Sequence, residues 1–540
     1  MKNNFYFKIF LIICAFALFI NVGQYGVIES SDARYAEIAR EMFVSGDFIH
    51  PNLLDVHHYH KPPFTYQITA IGYYLFGVNP FGARFFLQIA VLIQLMLMYS
   101  LTKMLFKSEK TALWSSIIYF SFPIVLISSR NLTTDAFVAT FVLLSIYAWV
   151  KYRKFGLIKW LYFFTISLAV GFLTKGPVVF IVPVIFVLFY NRIEKAKYSL
   201  SIHHLLAWLL CILISSSWFI YLAIENPIFI DYFLGRQTVD RFSVNAFGRT
   251  EPFWYFLAFA PLVGLPWFLI MIYLIKVKKN SFTHRSLNFS LIITAIIPLI
   301  FFSISSSKRI LYILPLYAII AILTAHLLTK IKEDKFNVIN YFVIGFSSII
   351  AISFIGTLLV NVDFNFPIII GISGILLAVS IYFIYRTNTI EVSSKPMVVS
   401  FAVSILLLIN SSIFFSANEL EVNSGKPITD FIISEKLDDR EVMVYDVRKS
   451  SIAFGLNKSI ISLNNGHNSL ARETQFENDL HWKEYLINLK NKEEIQYLKE
   501  EVLKKPTVLI IYRNPLPTDL DWILGYYKFK KEMKSWTIYY

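Results

Sequence analysis

The chain has 540 residues, 56% of them apolar, and a mean hydropathy of +0.57. One filled core would leave far too much greasy surface in water, which excludes a soluble globule. The net charge of +14 does not mark a nucleic-acid partner, because Lys and Arg stand in short clusters between apolar runs, as in positive cytoplasmic loops.

Residues 9–22, preceded by Lys2 and Lys8, have the n-region and h-region of a secretory signal. No small-x-small cleavage site follows, so the segment reads as a retained signal anchor with a cytoplasmic N-terminus. Cys14 and Cys211 lie inside apolar runs and form no disulfide framework.

Residues 29–64 gather acids, arginines, histidines and a Lys-Pro-Pro turn between two oily segments. Ser30 or Ser31 suits the cap of a helix whose Tyr35, Ile38, Ala39, Met42 and Phe43 recur at helical spacing, ending near Gly46. Its apolar stripe is expected to lie on the membrane. Pro62 and Pro63 suit the first turn of a second helix carrying Tyr66, Tyr73 and Tyr74, which Gly77 ends. From Phe85 the chain recrosses the membrane.

A span needs about 20 apolar residues, and about thirteen candidates follow one another along the chain. Basic clusters recur from Lys103 to Lys110, Lys151 to Lys159, Arg192 to Lys197, Lys276 to Arg285 and Lys330 to Lys335, and again at Arg386 and Lys395. Placing them all in the cytoplasm leaves an even number of crossings between successive clusters. The remaining polar segments then share the outer face: the first loop, residues 130–135, Lys175, residues 225–251, residues 305–309 and everything after Phe415.

The apolar runs 160–174 and 177–190 are short for spans and meet in the turn T-K-G-P, which draws Lys175 toward phosphate depth. The plainer reading is a lysine snorkelling from a helix end. Residues 417–540 have ordinary composition and read as a separate water-soluble domain. In it Glu441–Tyr445 and Thr507–Tyr512 are strands and residues 482–502 are helical in character, a small α/β unit without a catalytic motif.

Asp32 sits just inside a helix start and Asp135 opens another after R-N-L-T-T-D. Each suits a structural helix-start acid, and each also suits the handling of an acceptor hydroxyl or a cation. Lys61, Lys175, Arg236, Arg241, Arg249, Lys308 and Arg309 fall on the face where the charge rule disfavours them. Either a phosphate group or the outer acids Glu29, Asp231, Asp240 and Glu251 accounts for them. His57, His58 and His60 are chemically able to bind a metal, but their spacing matches no specific metal motif and equally suits polar surface residues.

The series D-A-R-Y-A-E-I-A-R-E-M from Asp32, S-G-D-F-I-H-P from Ser45, Y-H-K-P-P from Tyr59, T-T-D from Thr133, T-K-G-P from Thr174, E-P-F-W-Y from Glu251 and L-Y-I-L-P from Leu311 resembles the polyprenyl-phosphate-sugar glycosyltransferases. These membrane enzymes of GT-C type group the aminoarabinose transferase that modifies lipid A with the protein O-mannosyltransferases. Order and spacing hold over roughly the first 330 residues. The family usually has an Asp-Glu pair before A-R-Y; here it is Ser31-Asp32, so the resemblance passes the acidic role to Asp32, assisted by Glu29, with Asp135 as the second-loop acid. It implies donor-phosphate contacts by Lys61, Lys175, Arg241 and Lys308, substrate contacts by Arg34, Tyr35, Tyr59 and Tyr312, and no required cofactor. A divalent metal at His60 is kept as an option, although the aminoarabinose branch tends to have Glu there.

The expected fold is therefore an α-helical polytopic membrane protein with outer juxtamembrane helices and a small C-terminal α/β soluble domain. Residues 1–416 form the transmembrane domain, with a first outer loop at 25–84, and residues 417–540 the extracytoplasmic domain. The expected function is inverting transfer of a sugar from polyprenyl (undecaprenyl) phosphate to an envelope acceptor such as lipid A, another glycan or protein, at the outer face of the bacterial cytoplasmic membrane. The expected partners are the lipid-linked sugar, a lipid or protein acceptor and membrane lipids. The rival is a lipid or sugar transporter or flippase, which would place ionisable groups near the bilayer midplane, where these spans carry few.

Overall fold

The structure, a computed structural model, describes residues 2–193, 200–239, 251–279, 282–283, 286–360 and 362–540. It divides into two compact units, Met1–Asn21 with Leu87–Phe414 and Val22–Phe86 with Phe415–Tyr540.

The first unit is helical. Among the described residues eight helices are long and apolar enough to cross a membrane, or up to ten if each of two bent pairs is one span. The chain is a multi-pass membrane protein. The bent pairs are Glu109–Phe120 with Pro123–Arg130, at 60°, and Tyr255–Val263 with Trp267–Val277, at 100°. Pro123 and Pro266 stand at the breaks, where a missing amide and a ring clash stop a helix from running on.

Ile310–Leu328 is the most enclosed of the eight, with 83% of its apolar window buried. Several polar side chains inside the unit are satisfied across helices. Tyr119 donates to Gln94 Oε1 at 2.7 Å, Gln94 Nε2 donates to the Ala136 carbonyl at 2.8 Å, and Arg130 donates to the Leu18 carbonyl at 2.7 Å. In an apolar surrounding such bonds hold helices together, because water offers no alternative partner. Cys14 and Cys211 are free and buried.

In the second unit the Ser31–Ser45 helix ends at Gly46, whose φ of +72° a side chain would resist. The Phe64–Phe76 helix ends at Gly77. Two expectations change here. Ser30 occupies the cap position without a side-chain cap bond. The stripe expected on the membrane is instead internal: Ile38, Ala39 and Met42 are buried where the helix packs on Phe64–Phe76 and on Ser450–Leu456. Burial against protein gives an amphipathic face the same escape from water that lipid would.

The C-terminal segment forms one six-stranded sheet of order β3-β2-β1-β4-β6-β5. The strands are β1 Glu441–Tyr445, β2 Ile461–Asn464, β3 Leu486–Asn488, β4 Thr507–Tyr512, β5 Lys530–Met533 and β6 Trp536–Tyr539. β3, β2, β1 and β4 pair in parallel, while β6 runs antiparallel to β4 and β5. Residues 482–502 are not helical throughout, because Leu486 and Ile487 are buried as strand β3 beside β2 before a short helix, Lys492–Tyr497, begins.

Candidate functional site

Within the first unit three residues singled out by separate motifs come together. Thr133 caps the Thr134–Phe155 helix by accepting from the Asp135 amide, which fixes Asp135 in the first turn. Lys175 is the last residue of Lys159–Lys175, where Gly176, at φ +89°, turns the chain out of the helix. Tyr312 lies in the 3-10 turn Ile310–Ile313. Lys175 Nζ is ion-paired with Asp135 Oδ1 and stands 4.4 Å from the Tyr312 ring centroid, a cation–π distance.

All three line a cavity of about 50 Å³ whose other walls include Val138, Val142, Val182 and Phe302. Such a cavity takes a water or two and no sugar ring. An ammonium between a carboxylate and a ring face, in apolar walls, is a cation able to exchange one anion for another.

Lys308 also lies in this unit. It is buried, its Nζ donates to the Glu251 carbonyl at 2.7 Å, and burial draws its pKa down. It thereby anchors the start of E-P-F-W-Y. Arg241, Asp240 and Arg249 lie outside the described residues, as does the side chain of Arg236.

Within the second unit the first-loop residues are tied into a polar network. Arg84 Nη2 donates to Asp32 Oδ2 at 2.5 Å and Arg84 Nε to Asp32 Oδ1 at 3.3 Å, both side chains being buried. The same guanidinium donates to the carbonyls of Val22, Tyr25 and Gly26. Asp32 Oδ2 also accepts from the Ile28 amide at 3.0 Å. Glu29 is half-buried, and the loss of hydration raises its carboxyl pKa, while the Ser451 amide, donating to it at 2.7 Å, and the charge of Lys449 pull the other way.

Lys449 is drawn down to about 8 by burial. It donates to Asn423 Oδ1 and lies 3.5 Å from the Tyr512 ring centroid.

Tyr35 lies against Tyr66 at 5.3 Å between ring centroids. Arg34 is half-buried, and its Nε has no hydrogen-bond partner among the described residues. Tyr59 stacks on His57 at 5.2 Å, and His60 on His58 at 4.0 Å. Burial first, and then the charge of His60, hold His58 well below the usual imidazole range. Among the described residues no group of three or more His, Cys, Asp or Glu is arranged to hold a metal ion, His60 included. Lys61 is half-buried.

Sequence reasoning passed over several groups that organise this network. Glu37 and Arg40 form a buried bidentate pair at 2.6 and 2.8 Å, and Glu41 accepts from the amides of Leu54 and Asp55 at 2.5 and 3.1 Å. The signal available was acids and an arginine on the apolar side of a helix, in A-E-I-A-R-E-M. Arg84 also carried a signal, as a cation at the start of an apolar span. Ser451, Lys449, Phe476 and Glu477 carried none.

Residues 8–233 match the family described as dolichyl-phosphate-mannose-protein mannosyltransferase. The undecaprenyl phosphate-alpha-4-amino-4-deoxy-L-arabinose arabinosyl transferase 2 of Proteus mirabilis is 30% identical over 335 residues, 60% of each chain. The corresponding transferase of Erwinia tasmaniensis is 28% identical over 331 residues, again 60% of each. The chain thus spans about 60% of the length of these curated relatives.

The crystal structure of ArnT from Cupriavidus metallidurans bound to undecaprenyl phosphate superposes with a TM-score of 0.79 at 18% identity, covering 98% of this chain and 97% of that one. The chain has that fold. The likeness to polyprenyl-phosphate-sugar glycosyltransferases of GT-C type, implied by the motifs, is borne out. Within that class, the two curated relatives described above carry the aminoarabinose-transferase name.

Proposed function

We propose that this chain is an inverting glycosyltransferase that moves a sugar from a polyprenyl (undecaprenyl) phosphate donor to an envelope acceptor at the outer face of a bacterial cytoplasmic membrane. The observation that carries the reading is the Asp135–Lys175–Tyr312 group, a half-buried cation balanced by one carboxylate beside a small cavity. It is what a membrane enzyme needs to receive a lipid-linked phosphate without leaving a bare charge when the phosphate departs.

The reaction is a single displacement at the anomeric carbon. The acceptor oxygen bonds to that carbon, the bond to the phosphate oxygen breaks, and polyprenyl phosphate leaves with the electron pair. Lys175 takes the donor-phosphate role, stabilising charge as it develops on the leaving oxygen. By their motifs Lys61, Arg241 and Lys308 share that role, and Arg34, Tyr35, Tyr59 and Tyr312 contact substrate. Asp135 orients the acceptor and accepts its proton if it is a hydroxyl. A phosphate acceptor needs only positioning. By the first-loop motif Asp32, assisted by Glu29, shares this acidic role, and Arg84 and the Ser451 amide hold the two carboxylates in place.

The same reading includes about thirteen spans. Support comes from Asn4–Phe19, Lys159–Lys175 and Pro177–Ile193, which are helical and apolar but shorter than the spans counted above. It places the N-terminus in the cytoplasm and residues 417–540 outside, and takes residues 1–416 as the catalytic domain.

Incubating the purified chain with a radiolabelled polyprenyl-phosphate sugar and lipid A, envelope glycan or envelope protein tests the reading. Label is expected in one acceptor class. Movement of intact donor across vesicles, without transfer, would favour the flippase.

A further inference from the structure

The most heavily used part of the first loop is held by residues that follow it by some four hundred positions. Arg448 reaches the Leu53 carbonyl with Nη2 while Nη1 donates to Glu473 Oε2 at 2.5 Å. Glu477 Oε1 accepts from the His57 amide at 2.6 Å. The buried Phe476 ring lies 5.0 Å from that of Tyr59 and meets His60 edge-on, at 6.4 Å and 90°. These contacts fall on Leu53, His57, Tyr59 and His60, immediately before Lys61.

Residues 51–61 have no helix or strand of their own to fix them. Two of their residues, Leu54 at φ +54° and Asp55 at φ +56°, hold left-handed backbone that a non-glycine residue adopts only when its surroundings hold it there. Glu41 binds the amides of both from one side. Arg448, Phe476 and Glu477 hold the neighbouring Leu53, His57, Tyr59 and His60.

We infer that Arg448, Phe476 and Glu477 are positioning residues for the Y-H-K-P-P motif, so that the C-terminal segment sets where Lys61 presents its ammonium to the donor phosphate. The inference rests on the donor reading above for the last step alone. The C-terminal segment acts by fixing the Leu53 carbonyl, the His57 amide and an aromatic shelf immediately before Lys61, which lowers the ordering cost of each encounter with the donor.

The test uses the full chain in detergent micelles with Glu477→Ala, Glu477→Gln and Phe476→Ala. Two quantities are measured, hydrogen–deuterium exchange over residues 50–63 and the KM values for a polyprenyl-phosphate sugar and for acceptor. Loss of the acceptor in Glu477→Ala should speed exchange there, and raise donor KM, by roughly ten-fold, with acceptor KM and kcat little changed. Phe476→Ala should do the same. Glu477→Gln keeps a carbonyl acceptor and should restore both. Unchanged loop exchange in Glu477→Ala, or a fall in kcat with donor KM unmoved, overturns the inference. Absence of transfer by the unsubstituted chain sinks the donor reading instead, and the clasp on the loop then stands or falls on exchange alone.

Discussion

Arg84 grips Asp32 through two hydrogen bonds, at 2.5 and 3.3 Å, across fifty-two positions of sequence and with both side chains out of water. Breaking a buried pair by removing one partner leaves the other charge uncompensated, at a cost of about 3–5 kcal/mol. Asp32→Ala is therefore expected to lower the unfolding midpoint in detergent as well as activity. Arg84→Lys should lower it too, since a lysine cannot reproduce the fork that also serves the carbonyls of Val22, Tyr25 and Gly26. A midpoint unchanged in both variants would show that the pair contributes nothing to the fold.

Lys175 and Asp135 should behave differently from that pair. Lys175→Ala is expected to cut kcat/KM for the donor by about 10²–10³-fold, the scale of losing one electrostatic stabiliser of a developing oxyanion. Asp135→Asn should cut kcat by about 10²–10⁴-fold with a hydroxyl acceptor, and much less with a phosphate acceptor, which has no proton to give up. Steady-state kinetics with the two acceptor types decide the matter, and equal losses would remove Asp135 from proton transfer.

Glu41 gives a prediction about pH. Burial first, and then the charges of Glu37 and Asp55, hold its carboxyl well above the ordinary value. The fold favours its protonated form, so its contribution to stability is complete below the unfolded pKa and is lost as pH rises through the folded one. Glu37 and Asp55 are raised as well, in the same sense. Unfolding midpoints of the unsubstituted chain should fall as pH climbs through this range. Glu41→Gln, which cannot ionise, should flatten that fall even if it is less stable throughout; an identical slope would exclude Glu41 as its source.

Gly72 of the Phe64–Phe76 helix faces the backbone of the next helix at Gly82. A Cβ there would stand 2.3 Å from the Gly82 carbonyl oxygen, which is backbone and cannot swing aside. Gly72→Ala should destabilise the protein by about 1–3 kcal/mol, the usual cost of overpacking, measurable as a lower unfolding midpoint. Gly46→Ala faces open space but an unfavourable φ of +72°, and its cost should be about 1 kcal/mol.

Much of this protein was legible in its sequence, wherever the signal was local. Long apolar runs can satisfy their backbone in lipid only as helices, so the multi-pass class followed from composition. Gly46 and Gly77 ended the helices they were expected to end, and Glu441–Tyr445 and Thr507–Tyr512 are strands with those bounds. Tertiary structure decided the partners. That Lys175 meets Asp135, forty positions away, depends on how two helices pack, and that Glu29 binds the amide of Ser451 depends on a chain that leaves the loop and returns 422 residues later. A buried charge must find an opposite charge or an amide to offset its lost hydration, but nothing in the local pattern says which. The same ignorance misread the Ser31–Ser45 helix, whose apolar stripe was correct and whose cover was protein instead of lipid, because burial removes that face from water equally well in either place.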